Sequence, residues 1–418
     1  MAIGSRLRIL ILTQWFDPEP TFKGLLFARK LQKLGHEVEV ITGYPNYPSG
    51  KLYPGYRQKW CSREMIDGVE VVRVPLYVSH DGSAFKRMLN YFSFAFTSCL
   101  YGILGAKKAD VIYVYHPPMT VGLSGALISL FRRTPFVYDV QDLWPDTLRA
   151  TGMMTNDRAL KVVAAVCGWI YRRASHIVVL SPGFRRLLIE RGVPDAKLSL
   201  IYNWCDESAL KAPGRSTVDL SFMDGRFNIV FAGNMGKAQA LSAVIEAARI
   251  VSAQDTRVQF VLVGGGLEVA ALREMSAKLE LDNVHFIAQM PMAEVGAVLA
   301  RADALLVHLR NDPLFSITIP SKTQAYMAVG KPILMAVEGD AADLLDRARA
   351  GLVVMPENPL SIAKNVLRIA GLSEEERLQM GRNASDFYQK ELSLDMGCEK
   401  FLDIFENLIA TRPVQLSR

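Results

Sequence analysis

The stretch NIVFAGNMGKAQALSAVIEAARIVSAQDTRVQFVLVGGG, residues 228–266, decides the fold. Asn228 to Ala232 and Val258 to Val263 are short apolar runs that read as buried strands, and Ala240 to Val251 between them reads as a helix. Glycine follows each strand, at Gly233 and at Gly264, Gly265 and Gly266. Strand, helix and strand in this order build a βαβ unit and a mainly parallel sheet.

The same alternation continues on both sides. Val284 to Ile287, Ala304 to His308 and Pro332 to Val337 read as further strands with helices between them. Upstream, Arg8 to Thr13, Glu37 to Thr42, Val69 to Val74, Val111 to Tyr115, Phe136 to Val140 and Ile177 to Leu180 form a second series. Between the two series, residues 203–227 are polar, contain Pro213 and two glycines, and show no clear period. The sequence therefore predicts an α/β protein of two Rossmann-like domains: residues 1–206, a linker over 207–227, and residues 228–395. A final helix in 396–418 is expected to pack back near the first domain.

Composition agrees with that division. The chain has 418 residues, half of them hydrophobic and 22% charged, which excludes disordered and collagen-like classes. The net charge of +6 is too mild to imply nucleic acid. It is also unevenly spread, +10 over residues 1–206 and −4 over 207–418, and every adjacent basic pair lies in the first half. An anionic partner is thus expected on that half. The five cysteines are far apart and form no metal-ligand spacing, so neither a disulfide framework nor a zinc site is expected. The opening MAIGSRLRILILTQWF reads as a first strand and not as a signal peptide, so the chain is expected to stay in the cytoplasm.

Two uncharged stretches allow two readings. Met88 to Ala106 lies between Lys86-Arg87 and Lys107-Lys108, and Val111 to Phe131 is split by His116-Pro117-Pro118. They could be buried helices on a sheet, or apolar helices dipping into a membrane surface with basic ends on lipid phosphates. The clustered basic pairs favour the surface-bound reading; a spanning helix is the least favoured, because polar residues dilute the first stretch.

The segment IPSKTQAYMAVGKPIL, residues 319–334, carries the strongest chemical signal. Ser321 is placed to cap a helix after Pro320, and the free amides behind it would form an anion site to which Lys322 adds a full charge. An ordinary capped helix is the alternative reading of the segment on its own.

The motifs NIVFAGNMG (228–236), FVLVGGG (260–266), NVHFIAQMP (283–291), ADALLVHL (302–309) and PSKTQAYMAVGKP (320–332), in this order, resemble the nucleotide-sugar domain of GT-B glycosyltransferases of family 4. GHEVEVITGYPNYP (35–48), YDVQDLWPDT (138–147) and VVLSPGFRRLL (178–188) extend the resemblance to the first half. TGYPNYPSGKLYPGY (42–56), QDLWPDTLRATG (141–152) and GNMGKAQAL (233–241) are similar to a WbuB-like subgroup assigned N-acetyl-L-fucosamine. The resemblance implies two domains facing across a cleft, and a retaining transfer that needs no metal. The donor would be a UDP-sugar and the acceptor a polyprenyl-diphosphate-linked saccharide, as in O-antigen, lipopolysaccharide or capsule synthesis. With the apolar stretches and clustered basic pairs, the expectation is a peripheral position on the inner face of the cytoplasmic membrane, the first domain meeting an anionic surface. No Asp-x-Asp occurs in the chain, so a metal is not demanded. Without one, leaving-group charge falls to Lys, Arg and helix N-termini.

One departure stands out. Two glutamates usual in the family are replaced by Ile317 and Ala325. Gln324 and the backbone amides of Phe315, Ser316, Ile317 and Thr318 are the local substitutes. Asn234 and Gln239 likewise stand where the family has basic residues, and Lys237 between them is the candidate to neutralise phosphate. In the first half, Lys23 and Gly24 fall where a loop covers the donor phosphates. His116 and Asp142 follow strands at the expected catalytic edge. Lys322, Lys237, His116 and Asp142 are thus the catalytic candidates. Gly233 and Gly264 to Gly266 either admit a nucleotide or merely turn the chain. A UDP-sugar epimerase of the same fold and an inert subunit of a polysaccharide-assembly complex are the competing readings.

Overall fold

Described residues are 6–79, 84–150, 153–211 and 218–411 of the computed structural model, and they form two units. The first runs to Tyr202 and resumes at Leu394; the second spans Asn203–Ser393. In the first unit, β1 (Arg8–Leu12), β2 (Glu37–Gly43), β3 (Ser62–Ile66), β4 (Val69–Val74), β5 (Val111–Tyr115), β6 (Phe136–Val140), β7 (His176–Val179) and β8 (Leu198–Leu200) make one sheet. Their order is β3-β4-β2-β1-β5-β6-β7-β8, parallel throughout except for β3 against β4. Every residue of β5 and β6 is buried, as expected for parallel strands covered by helices on both faces.

The second unit carries β9 (Phe227–Ala232), β10 (Val258–Val263), β11 (Val284–Ile287), β12 (Ala304–His308), β13 (Ile333–Ala336) and β14 (Gly351–Val353). Their order is β11-β10-β9-β12-β13-β14, all parallel, with Ile229 opposite Phe260 in register. Each sheet reverses its winding once, between β1 and β5 and between β9 and β12. Ligands of such sheets bind where the winding reverses, beyond the carboxyl ends of the strands.

Three strands lack a clear sequence signal. Residues of β3 alternate between half-buried and exposed, and β3 turns into β4 through Asp67-Gly68, both at positive φ (46° and 85°). The other two, β8 and β14, are three residues each, too short for a period to register. The stretch read as a linker has structure of its own. Its described part holds a helix, Glu207–Lys211, and buried Leu220 and Met223; the Phe222 carbonyl accepts a bond from Gln259 at 3.1 Å. These described residues are packed chain, and residues 212–217 of the expected linker lie outside the described residues. The last helix, Leu394–Ala410, belongs to the first unit, where Phe401 packs on Phe27 and Tyr113 with ring centres 5.2 Å from each.

The two uncharged stretches become the helices Ala84–Leu104 and Met119–Arg132. They pack on each other through Ser98 and Ser124, whose hydroxyls are 3.0 Å apart, and through Gly102, which leaves room for Ile128. The longer helix has a second apolar face, however. Phe85, Leu89, Phe92 and Phe96 recur every three or four residues on one exposed stripe. Leu130 and Phe131 of the neighbouring helix are exposed as well. Among the described residues no helix is long and apolar enough to cross a membrane.

Candidate active site

In the second unit the predicted residues gather at the reversal between β9 and β12. The helix Lys322–Val329 begins there, and its first side chain turns inward. Lys322 Nζ is buried without a hydrogen-bond partner and lies 3.4 Å from the centre of the Phe231 ring. Burial pushes the amine down to about 7, because charge is disfavoured away from water. The aromatic face offsets part of that cost.

Glycines form the rest of the cradle. Gly233 and Gly264 have φ of +138° and +139°, a region closed to other residues. A Cβ on Gly264 would lie 2.0 Å from the Gly233 carbonyl oxygen, and one on Gly233 would stand 3.3 Å from Lys322 Nζ. The loops after β9 and β10 can therefore approach each other this closely only as glycine. Gly265 and Gly266 follow; Gly265 lies against the Gln289 side chain. Asn234 is exposed, and Gln239 Oε1 accepts the Gly236 N–H at 3.0 Å, folding the loop. Lys237 projects into solvent from the turn Lys237–Gln239.

A feature the sequence reading missed holds this loop in place. His308, at the end of β12, is buried. Its Nε2 accepts the Glu357 N–H at 3.1 Å, so Nδ1 carries the proton and donates to the Gln239 carbonyl at 2.7 Å. Burial pushes its pKa down, which keeps this neutral tautomer. Position at a strand end was the one available signal for His308; its partners are distant in sequence.

Other predicted residues are placed differently. The amides of Phe315, Ser316 and Thr318 already donate to the carbonyls of Asp312, Asp312 and Phe315, so they are not open to a sugar. The turn Pro313–Ser316 uses them because Asp312 caps it. Ile317 ends that turn. Ser321 occupies the cap position of the next helix, but its hydroxyl makes no capping bond. Gln324 is buried, its amide nitrogen turned to the carbonyls of Ser321 and Pro320 at 2.8 and 3.0 Å.

In the first unit, His116 and Asp142 meet at the carboxyl edge of β5 and β6. His116 Nδ1 accepts the Asp142 N–H at 3.2 Å, which leaves the imidazole proton on Nε2. Burial lowers the His116 pKa to about 3 and raises that of Asp142 to about 6. His116 is therefore a neutral positioning group, and Asp142 changes charge close to physiological pH.

Lys23 requires a correction. It was expected to face donor phosphates, yet its side chain is wholly buried and its Nζ is 2.6 Å from Asp139 Oδ2. Tyr113 and Gln141 also donate to that carboxylate, each at 2.6 Å. Inside the unit the lysine is a structural cation. Gly24 precedes the helix Leu25–Lys33, and a Cβ there would strike Thr21 and Asp17. Among the described residues no group of three or more His, Cys, Asp or Glu is placed to hold a metal ion.

Comparison with known proteins bears on what this arrangement serves. Residues 25–204 match the glycosyl transferase 4-like domain and residues 218–387 match glycosyl transferases group 1. The chain is a glycosyltransferase of the GT-B fold, built from these two family domains. Its relatives include the putative colanic acid biosynthesis glycosyl transferase WcaI of Escherichia coli K12, 26% identical over 79% of this chain and 84% of that protein. The probable glycosyltransferase WbjE of Pseudomonas aeruginosa is 24% identical over 68% of this chain and 74% of its own length. Among solved structures, Anabaena HepE in complex with UDP superposes with a TM-score of 0.65 at 17% identity, covering 96% of this chain and all of that one.

Proposed function

We propose that this enzyme transfers a sugar from a UDP-sugar to a polyprenyl-diphosphate-linked saccharide during bacterial surface-polysaccharide synthesis, at the inner face of the cytoplasmic membrane. Lys322 carries the reading: a buried amine without a hydrogen-bond partner, beside two glycine loops at a sheet reversal. A diphosphate placed there would restore the amine's charge and satisfy its donors. Lys237, on the same loop system, would meet the outer phosphate as the bond to the sugar breaks, so that no metal is needed. Gly233, Asn234 and Gln239 would line the phosphates, and Gly264 to Gly266 the nucleoside.

The first unit would supply the acceptor side. Asp142, fixed through its backbone by His116, would orient the incoming hydroxyl or the donor sugar. The stripe Phe85-Leu89-Phe92-Phe96, with basic pairs at the helix ends, supports docking on an anionic bilayer. The name of WcaI supports a polysaccharide pathway, and the UDP bound to HepE supports the nucleotide. Resemblance to WbuB-like enzymes makes N-acetyl-L-fucosamine, or a related N-acetyl or 6-deoxy sugar, the first donor to try, with retention of configuration.

Titration calorimetry with UDP in the presence of a chelator tests the donor site. Wild-type protein should bind, and Lys322→Ala should weaken binding by about tenfold or more, the worth of a charge-assisted hydrogen bond. Equal affinity in the two proteins would remove Lys322 from the site. A panel of UDP-sugars with polyprenyl-diphosphate acceptors then tests transfer itself.

A further inference from the structure

The loop 233–240, which carries Lys237, is held at its two ends by different elements. Its first part is tied to the loop after β10: the Met235 N–H donates to the Gly265 carbonyl at 2.7 Å, and the Met235 carbonyl accepts the Glu268 N–H at 3.0 Å. Its last part is tied to the end of β12. The Ala238 carbonyl accepts the Arg310 N–H at 2.8 Å, and the Gln239 carbonyl accepts from His308 Nδ1 at 2.7 Å. Lys237 lies between these anchorages, exposed, on the turn Lys237–Gln239.

The backbone around the second anchorage is strained. Ala240 closes the turn in the left-handed region, at φ 45°, and Glu357 takes φ 54° where it donates its N–H to His308 Nε2. Neither is a glycine, and a side chain makes that conformation costly unless surrounding bonds impose it. Glu357 is tied again through its carboxylate, which accepts the Asn311 N–H at 2.6 Å. The buried ring of His308 therefore joins the loops after β9, β12 and β14 at one point. A neutral imidazole accepts on one nitrogen and donates from the other, and the bond from Glu357 decides which. The proton so placed on Nδ1 faces the turn that bears Lys237.

We propose that His308 is a positioning residue of the donor site: its bond from Nδ1 to the Gln239 carbonyl sets the turn from which Lys237 reaches the outer phosphate of a nucleoside diphosphate. The assignment deepens the UDP site proposed above and rests on it. The ring is wholly buried beneath the loop, so it acts through Lys237 and not on the ligand. A lysine is a point charge on a flexible stem, and its effect depends on where its backbone is held. Without the bond the turn can relax from its strained form, and Lys237 becomes an ordinary solvated surface charge.

UDP affinities from calorimetry, taken around a double-mutant cycle, test the assignment. In wild-type protein Lys237→Ala should weaken UDP by about tenfold, and in His308→Phe, which keeps a ring but neither nitrogen, by no more than about twofold. His308→Asn and His308→Gln separate the two bonds, because the shorter amide overlies Nδ1 and the longer one Nε2. The Lys237 effect should return in His308→Asn and stay lost in His308→Gln, a contrast that a merely space-filling histidine does not produce. Where His308→Phe does not fold, that contrast decides alone. A Lys237→Ala penalty that is absent in wild-type protein, or unchanged in His308→Phe, overturns the assignment. So does any result in which His308→Asn, alone of the two amides, fails to restore it. Wild-type protein that binds no UDP removes the donor site and this role together, whereas UDP binding in which the Lys237 effect ignores residue 308 removes this role alone.

Discussion

Lys322 Nζ stands 3.4 Å from the centre of the Phe231 ring and has no hydrogen-bond acceptor. An amine so placed holds its proton weakly, with a pKa near 7 against 10.5 in water. Between those values the unfolded chain binds the extra proton and the folded chain does not. The sign follows: stability of the ligand-free enzyme should rise as pH climbs from about 7 towards 10. Melting curves across that range check it. Lys322→Met should flatten this part of the profile, and UDP binding above pH 7 should take up a proton, visible as a buffer-dependent enthalpy.

The pair of Lys23 and Asp139 leads to an opposite expectation. With both side chains fully buried, removing one partner strands a charge in the interior. Lys23→Met should cost about 3–5 kcal/mol of stability, read from urea unfolding. UDP affinity of the folded fraction should stay unchanged. A loss of affinity without a loss of stability would restore the phosphate role that its position in the sequence suggested.

Asp142 should set the acid limb of activity. Burial raises its pKa to about 6, so the carboxylate form is lost as pH falls through that value. If the carboxylate orients a hydroxyl, kcat/KM should fall tenfold per pH unit below about 6. Asp142→Asn should be slow and lack that limb. An unaltered limb in the variant would assign it to another group.

Membrane association should depend on the exposed stripe more than on any one charge. Replacing Phe85, Phe92 and Phe96 with serine removes three apolar side chains, each worth roughly 1.5–3 kcal/mol when buried. Flotation with anionic vesicles should fall by at least about tenfold, and high salt should weaken what remains. Undiminished flotation of the triple variant would place the contact elsewhere.

The strands around both sheet reversals were legible because parallel strands buried on both faces are continuous apolar runs. Hence β5, β6, β9 and β10 could be read from residue type alone. An edge strand such as β3, with Arg63 and Glu64 inside it, carries no such mark. Position after a strand pointed to His116, Asp142 and the glycines. It misled at Lys23, because the partner that claims its charge is 116 residues away. The same distance problem hid His308, whose partners at Gln239 and Glu357 are 69 and 49 residues off. At Phe315, Ser316 and Thr318 the error was local: Asp312 starts a turn that consumes the amides. The apolar stretch 88–106 left two readings open because its helix is buried along one side and bare along the other, a difference that residue type alone does not carry.

The course of the backbone has a practical consequence. It leaves the first unit at Tyr202 and returns at Leu394, so that unit is assembled from two separate lengths of polypeptide. A fragment cut after Tyr202 would lack Phe401 and Phe405, and the aromatic seat formed by Phe27 and Tyr113 would lie open to water. Such a truncation invites aggregation, whereas joining Tyr202 to Leu394 through a flexible bridge keeps both lengths of the first unit in one product that can be studied alone.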